Sequence, residues 1–592
     1  MNSLDAAADF RFSPRPNNAH RIHWRAWDAA AFAEARAAGK PVLLSISAVW
    51  CHWCHVMDET TYSDERVTAA INNEYVPVRV DNDRRPDVNA RYNMGGWPTT
   101  AVLTPDGDAI TGATYLPPDG MLRFLADVRD FFSAHRGDIE QKTAEMRAAA
   151  KNGPPEAASL EATIVEEVVG AIAAGYDDTH GGFGTEPKFP QTDALELLLR
   201  EVRVARAHGE DRPDVYDMLA KTALGMARGG MYDHVEGGFF RYSTTRDWSV
   251  PHFEKMAEDH GGFLRVYAGL YRMSRNDAFR QTLLSATRYV RTVLRDPATG
   301  LFAGSQDADE EYFALPLEER RQRAAPFVDR TAYVNWSANL IAGLFAAADV
   351  LGDDELAESA ARALDAIVAR ALVDDDGLVR HYIASDGSAH VRGLLADQTW
   401  LLRALLDAYE RDGRRQRLDR AVALADAVLH AFTAASGAFV DNAYAAHGIG
   451  RTRIVDEPLG DNGHAADALL RLAALTGDDR YAQAARRALE RFAGSYARAG
   501  SFAAPYAAAV RRALEPPTVV RLVGDEAALA DFRADARMLP DPLVSVRVLA
   551  AGEAEAAGFP PDARRAYVCV GRTCSAPVAE PAGLRDAYML LR

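Results

Sequence analysis

Two cysteines separated by two residues, Cys51 and Cys54, form the pair whose chemistry is clearest from the sequence. They directly follow an apolar run, residues 41–50, that predicts a buried β-strand. A helix beginning at this pair would place the first sulfur at a helix N-terminus, where backbone N–H groups and the helix dipole favour the thiolate. The pattern therefore indicates thiol–disulfide exchange, with Cys51 as the nucleophile and Cys54 as the resolving cysteine.

Two metal-based functions share this spacing. With His55 the pair spells C-x-x-C-H, the pattern of covalent haem attachment. It could also be half of a zinc site completed by His52, by His55, or by the distant Cys569 and Cys574. Haem attachment requires export, and the first ten residues contain no apolar segment. The sequence therefore favours the redox dithiol and predicts neither a bound metal nor another cofactor.

A second short segment supports a thioredoxin-like arrangement around the cysteines. Residues 99–110 predict a strand, a Pro-Asp-Gly turn and a second strand. A thioredoxin fold needs a proline, usually cis, at the start of such a strand and facing the dithiol. Pro98 is the candidate for this proline, which would lie on the substrate side of the dithiol. We expect Trp50 and Trp97 to shape the substrate-facing surface.

Composition limits the classes of partner. A chain of 592 residues implies more than one domain. A net charge of −17 argues against a nucleic-acid groove or an anionic membrane surface. No run approaches eighteen apolar residues, so we expect no membrane span. Four cysteines in so long a chain indicate a reducing compartment, the cytoplasm, and no framework of structural disulfides.

The pattern of elements predicts three domains. Residues 1–151 alternate between helix and strand, as a thioredoxin-like α/β domain requires. A Gly-Pro-Pro segment lies in a linker, residues 152–158. Residues 159–514 are almost wholly helical, and residues 515–592 return to strand-like runs, which predicts a small C-terminal α/β module.

The helical part carries a repeated glycine-containing turn, with an aromatic residue in most copies. Its copies lie at residues 181–184, 237–240, 300–303, 377–379, 437–440 and 500–502. A period of about sixty residues accommodates one helical hairpin with its loop. Six hairpins favour a closed (α/α)6 toroid, although an open helical solenoid would have the same period.

Polar and aromatic residues concentrate in the second hairpin and in loops that a toroid would gather at one rim. Histidines and carboxylates can act as general acids and bases, and aromatic rings can stack on sugars. The candidate catalytic residues are Asp233, His234, His252, Glu254 and Asp307. The candidate binding residues are Lys188, Tyr232, Arg241, Trp248, Lys255, Asp309, Asp397 and Asp461. Any of the acids could instead cap a helix or stabilise a loop.

Several long motifs resemble one protein family. They lie at residues 50–57, 85–87, 95–98, 181–184 with 187–190, and 251–256. Together they resemble the thioredoxin-domain proteins related to spermatogenesis-associated protein 20 and the bacterial YyaL proteins. The resemblance implies a thioredoxin-like domain joined to a six-hairpin toroid similar to N-acylglucosamine 2-epimerases and six-hairpin glycosidases. Residues 257–260 and 310–313 depart from the family pattern at the expected rim.

Three functions follow as hypotheses. The first is a thiol–disulfide oxidoreductase with a protein disulfide or thiol partner, fused to a toroid that recognises a saccharide. The second is a sugar epimerase, isomerase or glycosidase whose thioredoxin-like domain is a scaffold. The third is an interaction scaffold without catalysis.

Overall fold

The computed structural model describes residues 12–149, 157–372, 374–561 and 564–592. The chain divides into two compact units. The first contains the N-terminal residues up to 154 together with 306–308 and 444–456, and the second contains the remainder. Most of the predicted linker, residues 152–158, lies outside the described residues, and the predicted domain boundaries stay a prediction.

The first unit is built on a four-stranded sheet of order β2-β1-β3-β4. The strands are β1 (Val42–Ser47), β2 (Val76–Asp81), β3 (Thr99–Leu103) and β4 (Ala109–Ala113). β1 is parallel to β2 and antiparallel to β3, and β4 is antiparallel to β3. The α-helices of this unit are Ala29–Ala38, His52–Glu59, Glu65–Glu74, Pro86–Tyr92, Pro118–Ala134 and Arg136–Ala149.

Every residue of β1 is buried, because helices cover both faces of the sheet. Side chains alternate along the strand, so Val42, Leu44 and Ile46 join one core cluster. Leu43 joins the opposite cluster together with Met121. This is the α/β organisation predicted for the N-terminal part of the chain.

Residues 444–456 are far away in sequence but pack within the same unit. The backbone N–H of Arg451 donates to the Tyr92 hydroxyl at 2.7 Å. Gly107, at φ +88°, lies so close to Gly450 that a Cβ on Gly107 would come within 2.6 Å of the Gly450 Cα. Glycine is therefore required at this contact for steric as well as conformational reasons.

Six helical hairpins form the ring of the second unit. The inner helices, numbered 1 to 6 in chain order, are Thr192–Ala207, Ala257–Ser274, Val334–Leu351, Leu395–Asp412, Leu459–Thr476 and Ala504–Leu514. Each packs against the next, and inner helix 6 packs against inner helix 1. The outer helices are Thr163–Ala174, Pro213–Arg228, Asp277–Tyr289, Asp354–Ala371, Arg415–Phe432 and Asp479–Glu490. The ring is thus a closed (α/α)6 toroid, as predicted, and not an open solenoid.

The loops of the ring carry short elements. The strands are Tyr242–Ser243, Pro251–His252, Lys255–Met256, Ser305–Gln306, Val328–Asp329, Ala332–Tyr333, Arg380–Ile383 and Ala389–Arg392, and the short helices are Glu310–Phe313 and Leu317–Arg320.

The first glycine-aromatic turn is held by a buried lysine. Lys188 Nζ donates to Asp177 Oδ2 at 2.7 Å and to the Gly181 carbonyl at 2.9 Å. Arg246 binds the same carboxylate at 2.8 Å. The hydrogen bond from Arg246 and the one from Lys188 hold the pKa of Asp177 far below its usual range, although burial opposes the shift. Lys188 therefore stabilises the turn.

The second turn repeats this arrangement. Lys255 Nζ donates to Asp233 Oδ2 at 2.7 Å and to the Gly237 carbonyl at 2.9 Å, and Arg320 also binds Asp233, at 2.8 Å. Burial lowers the pKa of Lys255 to about 8, against the opposing effect of Asp233. The Lys255 ammonium also lies 4.5 Å from the centroid of the Tyr289 ring. The lysines in two successive hairpins thus have the same structural environment.

The C-terminal module is a small α/β layer. Its sheet has the order Ser545–Leu549, Thr518–Val523, Arg565–Val570, Thr573–Cys574, and its α-helices are Ala530–Arg537, Ala551–Ala556 and Leu584–Met589. The sequence predicted this module correctly.

The structure contradicts one alternative from the sequence, the zinc site that Cys569 and Cys574 would complete. Cys569 and Cys574 face each other on adjacent antiparallel strands and form a disulfide. Their sulfurs are therefore bonded to each other and do not complete a zinc site with Cys51 and Cys54. The sequence predicted no framework of structural disulfides and did not predict this single bond, which forms because the two-residue hairpin brings the cysteines into register.

One of the described helices, Val334–Leu351, is long and apolar enough to cross a membrane by length and composition. The sequence analysis did not expect such a segment. In the structure it is inner helix 3, and 72% of its apolar window is buried inside the protein.

Removing either turn lysine should destabilise the second unit. Lys188→Met and Lys255→Met each leave a buried carboxylate with one cation instead of two. We expect each to lower the free energy of unfolding by about 3 kcal/mol, measured by denaturant unfolding followed by circular dichroism. Lys221→Met, at an exposed lysine of the same unit, is the matched control and should change it by less than about 1 kcal/mol. Equal effects of all three variants would contradict the structural role.

Candidate functional site

The first candidate site is the dithiol pair of the first unit. Cys51 is the N-cap of the helix His52–Glu59, and it forms a disulfide with Cys54. The backbone N–H of Cys54 donates to Cys51 Sγ at 3.2 Å. Both cysteines are almost completely buried. After reduction, the same N–H group and the helix dipole would stabilise a thiolate on Cys51.

Aromatic residues surround the approach to this pair. Trp50 Nε1 donates to Asp83 Oδ2 at 2.7 Å, and the Trp50 ring meets Trp97 edge-on at 5.8 Å. Trp97 in turn donates to Asn89 Oδ1 at 3.1 Å. The peptide bond between Trp97 and Pro98 is cis and directly precedes β3, as expected from the sequence.

The helix that carries the dithiol is tied to the sheet by a buried ion pair. Arg79 on β2 lies 2.9 Å from Asp58, which is four residues after Cys54. Both side chains are nearly inaccessible to solvent, and Arg79 lies over the Phe12 ring at 4.6 Å. Burial raises the pKa of Asp58, although the charge of Arg79 opposes the shift. The pair fixes the helix on the strand, and hence the position of the sulfurs.

The second candidate site is a cavity of about 300 Å³ inside the ring. It is lined mainly by residues from the first turns of inner helices 1 to 5. They are Thr192, Asp193, Glu258, Asp259, Asn335, Trp336, Ala396, Asp461 and His464, with Arg265, Asn339 and Trp400 deeper on the same helices. We call this cavity the acidic funnel.

The carboxyl groups of the acidic funnel do not share one protonation state. Burial and the neighbouring Glu258 raise the pKa of Asp259 to about 7, and burial raises that of Asp461 to about 6. Burial also acts to raise the pKa of Asp193, but the hydrogen bond from His464 and nearby positive charges keep it lowered. Near pH 7 the funnel therefore contains both protonated and ionised carboxyl groups.

Two aromatic rings and a fixed arginine complete the funnel. Trp400 packs against His464 with ring centroids 4.7 Å apart, and the guanidinium of Arg265 lies 5.2 Å from the Trp400 centroid. Arg265 is held by Glu196 at 2.5 Å. A ligand entering here would meet acids, indole rings and one anchored cation.

Several of the rim residues predicted from the sequence make buried structural contacts. Asp233, Lys188 and Lys255 belong to the buried turns described above. Trp248 is fully buried, with φ +66°, and the Lys188 ammonium lies 5.2 Å from its ring centroid. Tyr232 is buried and packs against Phe239 at 5.0 Å. These contacts give each residue a structural function.

His252 and Glu254 do come together. His252 Nδ1 lies 2.5 Å from Glu254 Oε2, and the imidazole stacks on Tyr242 at 5.0 Å. Burial acts to lower the pKa of His252, but Glu254 raises it overall. His234, in contrast, is exposed, with Nε2 3.1 Å from the Gly229 carbonyl.

The remaining predicted acids lie in different places. Asp461 lines the acidic funnel. Asp397 is buried beside it, 3.0 Å from His381 Nδ1, and accepts the Asn335 N–H at 3.1 Å.

Two further acids act locally on the backbone, and one predicted arginine acts on the funnel. Asp309 caps the short helix Glu310–Phe313 by accepting the Tyr312 N–H. Asp307 is buried, accepts the Ala308 N–H and falls within the first unit. Burial raises the pKa values of Glu258 and Asp259, and the positive charge of Arg241 opposes both shifts, so Arg241 lies near the acidic funnel.

Sequence reasoning missed most of the funnel. The sequence analysis names none of these lining residues as a candidate: Asp193, Glu258, Asp259, Trp336, Trp400 and His464. A signal was present, because these residues begin polar stripes on otherwise apolar helices. On inner helix 5 the stripe runs through Asp461, His464, Asp467 and Arg471.

Comparisons with known proteins identify a thioredoxin-like domain at the N-terminal part of the chain. Residues 14–151 match the family Thioredox_DsbH, described as a protein of unknown function, DUF255. The chain is 31% identical over 312 residues to human spermatogenesis-associated protein 20, covering 49% of this chain and 39% of that protein. It is 40% identical over 83 residues to thiol:disulfide interchange protein DsbD 1 of Pseudomonas aeruginosa, covering 13% of this chain and 14% of that protein.

A comparison with solved structures gives one further alignment. Cellobiose 2-epimerase from Spirochaeta thermophila aligns with a TM-score of 0.47 at 13% identity, covering 60% of this chain and 96% of that chain. The sequence matches confirm the thioredoxin-like domain and the resemblance to spermatogenesis-associated protein 20. The matched region spans about two fifths of that relative's length.

Asp259 should make stability depend on pH. Because its pKa is raised to about 7 from 3.8, the folded protein keeps a proton between these values that the unfolded chain has released. Its contribution to stability therefore falls as pH rises through this window. Asp259→Asn should remove that fall, so that the variant gains stability relative to wild type from about pH 4 to about pH 7. Denaturant unfolding at a series of pH values measures the difference.

The matched control for this experiment is Asp217→Asn, at an exposed position on an outer helix. A difference between Asp259→Asn and wild type that does not change across the window would contradict the protonated state of Asp259.

Proposed function

We propose that this protein is a thiol–disulfide oxidoreductase acting on a protein disulfide or thiol partner. The observation that carries the proposal is the Cys51–Cys54 disulfide, with Cys51 at a helix N-terminus and its sulfur accepting the Cys54 N–H. A sulfur in this position is both a better nucleophile at neutral pH and a better leaving group than an ordinary thiol.

The exchange balances without a further co-reactant. In the reductive direction the Cys51 thiolate attacks one sulfur of a partner disulfide, and the partner's other sulfur leaves as a thiolate. The Cys54 thiolate then attacks Cys51 Sγ, closes the Cys51–Cys54 bond and releases the partner's second thiolate. Two electrons pass from the dithiol to the partner, and the reverse sequence oxidises a partner dithiol.

The surface beside the dithiol supports a protein partner. Trp53 lies between the two cysteines in sequence and is 49% exposed, although large apolar side chains are usually buried. Its ring leans on Tyr115 at 5.1 Å, which holds it in place. A fixed, exposed indole next to a reactive sulfur offers apolar contact to an incoming polypeptide. The cytoplasmic location stays a prediction.

Cysteine variants test the redox proposal. Reduced wild type should convert the disulfides of insulin to thiols and form the Cys51–Cys54 disulfide in stoichiometric amount. Thiol trapping monitors both changes. Cys51→Ser should reduce insulin no faster than buffer, because the attacking sulfur is gone. Cys54→Ser should accumulate a mixed disulfide on Cys51, because the resolving step is blocked.

The chain contains its own control for these variants. Cys569→Ser/Cys574→Ser removes the other disulfide and should leave the exchange rate unchanged. Full activity of Cys51→Ser, or loss of activity only in the double variant, would refute the assignment.

The acidic funnel favours a second function, binding or processing of a saccharide by the ring. The supporting observation is a cavity that places Asp259, whose pKa burial and Glu258 raise to about 7, beside other carboxyl groups and beside Trp336 and Trp400. A carboxyl group that titrates near neutral pH can act as a general acid, and ionised neighbours can act as bases. Indole faces stack on pyranose rings.

Saccharide binding should depend on Trp400. In an array of mono- and oligosaccharides, we expect wild type to bind at least one member, with its affinity then measured by calorimetry. Trp400→Ala should weaken that binding by about tenfold, equal to about 1.4 kcal/mol of lost stacking. Trp53→Ala, the same change in the other unit, should have no effect. Absence of binding by wild type across the array would end this hypothesis.

A further inference from the structure

Arginines accumulate toward the C-terminal ends of the inner helices. On inner helix 1, Arg200 and Arg203 follow Glu196 at helical spacing, and inner helix 2 carries Arg265 and then Arg272 on one stripe. Most arginines of this layer are paired with carboxylates. The pairs are Arg200 with Asp467, Arg265 and Arg403 with Glu196, Arg411 and Arg537 with Asp349, Arg471 with Asp407 and Glu410, and Arg512 with Asp467.

Arg203 and Arg272 depart from this pattern. Among the residues that the structure describes, neither forms an ion pair, and Arg203 donates no hydrogen bond. The guanidinium of Arg272 donates to the Leu539 carbonyl at 2.6 Å. Both side chains are only partly exposed. The charge of Asp541 acts on Arg203 and that of Asp349 acts on Arg272, but neither carboxylate forms a direct ion pair with its arginine. A partly buried guanidinium without a direct anionic partner is costly, so these two arginines require an explanation.

Both arginines line a cavity of about 460 Å³ between the ring and the C-terminal module. Three exposed arginines, Arg206, Arg275 and Arg585, also line it. Among the described residues that line it, Asp535 is the one carboxylate. The cavity therefore has a strong excess of positive charge in a protein whose net charge is −17.

The remaining wall of the cavity is apolar. It is formed by Met273, Met538, Leu539, Pro540, Leu584 and Met589. The volume lies within the range typical of small-molecule sites. A ligand that fills it would place an anionic group against the arginines and an apolar or ring portion against the methionines and leucines.

From this geometry we propose that the cavity, here called the arginine cavity, binds a small phosphate monoester, with Arg203 and Arg272 as the principal ligands of the phosphate group. Planar guanidinium groups bind phosphate oxygens in pairs and retain their charge when partly buried. The apolar wall selects an ester over inorganic phosphate. The site uses none of the residues assigned to the dithiol or to the lining of the acidic funnel.

The electrostatics of the two arginines are consistent with a missing anion. Burial and the adjoining positive charge of Arg272 lower the pKa of Arg203 well below its ordinary value, and burial lowers that of Arg272 to about 10. The negative charge of Asp541 opposes the shift of Arg203, and that of Asp349 opposes the shift of Arg272, without overcoming either. A bound phosphate group would add further negative charge and raise both pKa values.

Calorimetric titration of the full chain with phenyl phosphate and with inorganic phosphate tests the proposal. We expect saturable binding of phenyl phosphate and weaker binding of inorganic phosphate, because only the ester contacts the apolar wall. Arg203→Gln should weaken phenyl phosphate binding by about tenfold or more, through loss of a charge-assisted hydrogen bond. Arg275→Gln, at the exposed mouth, should weaken phenyl phosphate binding by a smaller factor and leave folding unchanged.

The matched control is Arg498→Gln, the same change at an exposed arginine of the ring that does not line the cavity. It should bind phenyl phosphate as wild type does. The proposal is overturned if wild type shows no saturable binding, if inorganic phosphate binds as tightly as phenyl phosphate, or if both cavity variants bind like wild type while retaining its circular dichroism spectrum.

Discussion

The electrostatics of helix ends underlie both candidate sites. An α-helix leaves unsatisfied N–H groups and partial positive charge at its N-terminus, and the reverse at its C-terminus. In the first unit this places Cys51 where a sulfur can accept the Cys54 N–H. In the ring, the first turns of the inner helices carry acids such as Asp193 and Asp461, and later turns carry arginines such as Arg203 and Arg471. The helix dipole thus favours acids in the first turns and arginines in the later turns. Carboxylates are present in the later turns as well, where Asp349, Asp407 and Glu410 pair with arginines.

Closing the ring demands close packing between inner helices, and glycines allow it between inner helices 2 and 3. A Cβ on Gly261 would lie 2.6 Å from Asn339 Oδ1, and one on Gly343 would lie 2.6 Å from the Gly261 carbonyl. Inner helices 2 and 3 therefore approach backbone to backbone. The same approach lets Asn339 donate to the Glu258 carbonyl at 2.8 Å, so the packing of the ring also positions the residues at the funnel.

The buried lysines show how polar residues in glycine-rich loops can serve the fold. Lys188 and Lys255 make matching bonds to an aspartate and to a glycine carbonyl in successive hairpins. A repeated arrangement in successive hairpins is what a structural unit requires, whereas a ligand site is formed once. The residues that line the acidic funnel, in contrast, differ from one inner helix to the next.

The sequence by itself determined the local chemistry and the order of the domains. The spacing of Cys51 and Cys54 after an apolar strand indicated the dithiol, Pro98 indicated the strand beside it, and the period of the glycine turns indicated six hairpins, because all of these depend on residues near one another in the chain. It could not assign Glu258, Asp259, Trp400 or His464 to one site, since these residues come from three hairpins and meet only when the ring closes. The sequence also could not show whether Lys255 forms a buried structural ion pair or binds a ligand. Tertiary structure decided both questions, because burial and charge pairing across distant segments determine which polar side chains stay available to a ligand.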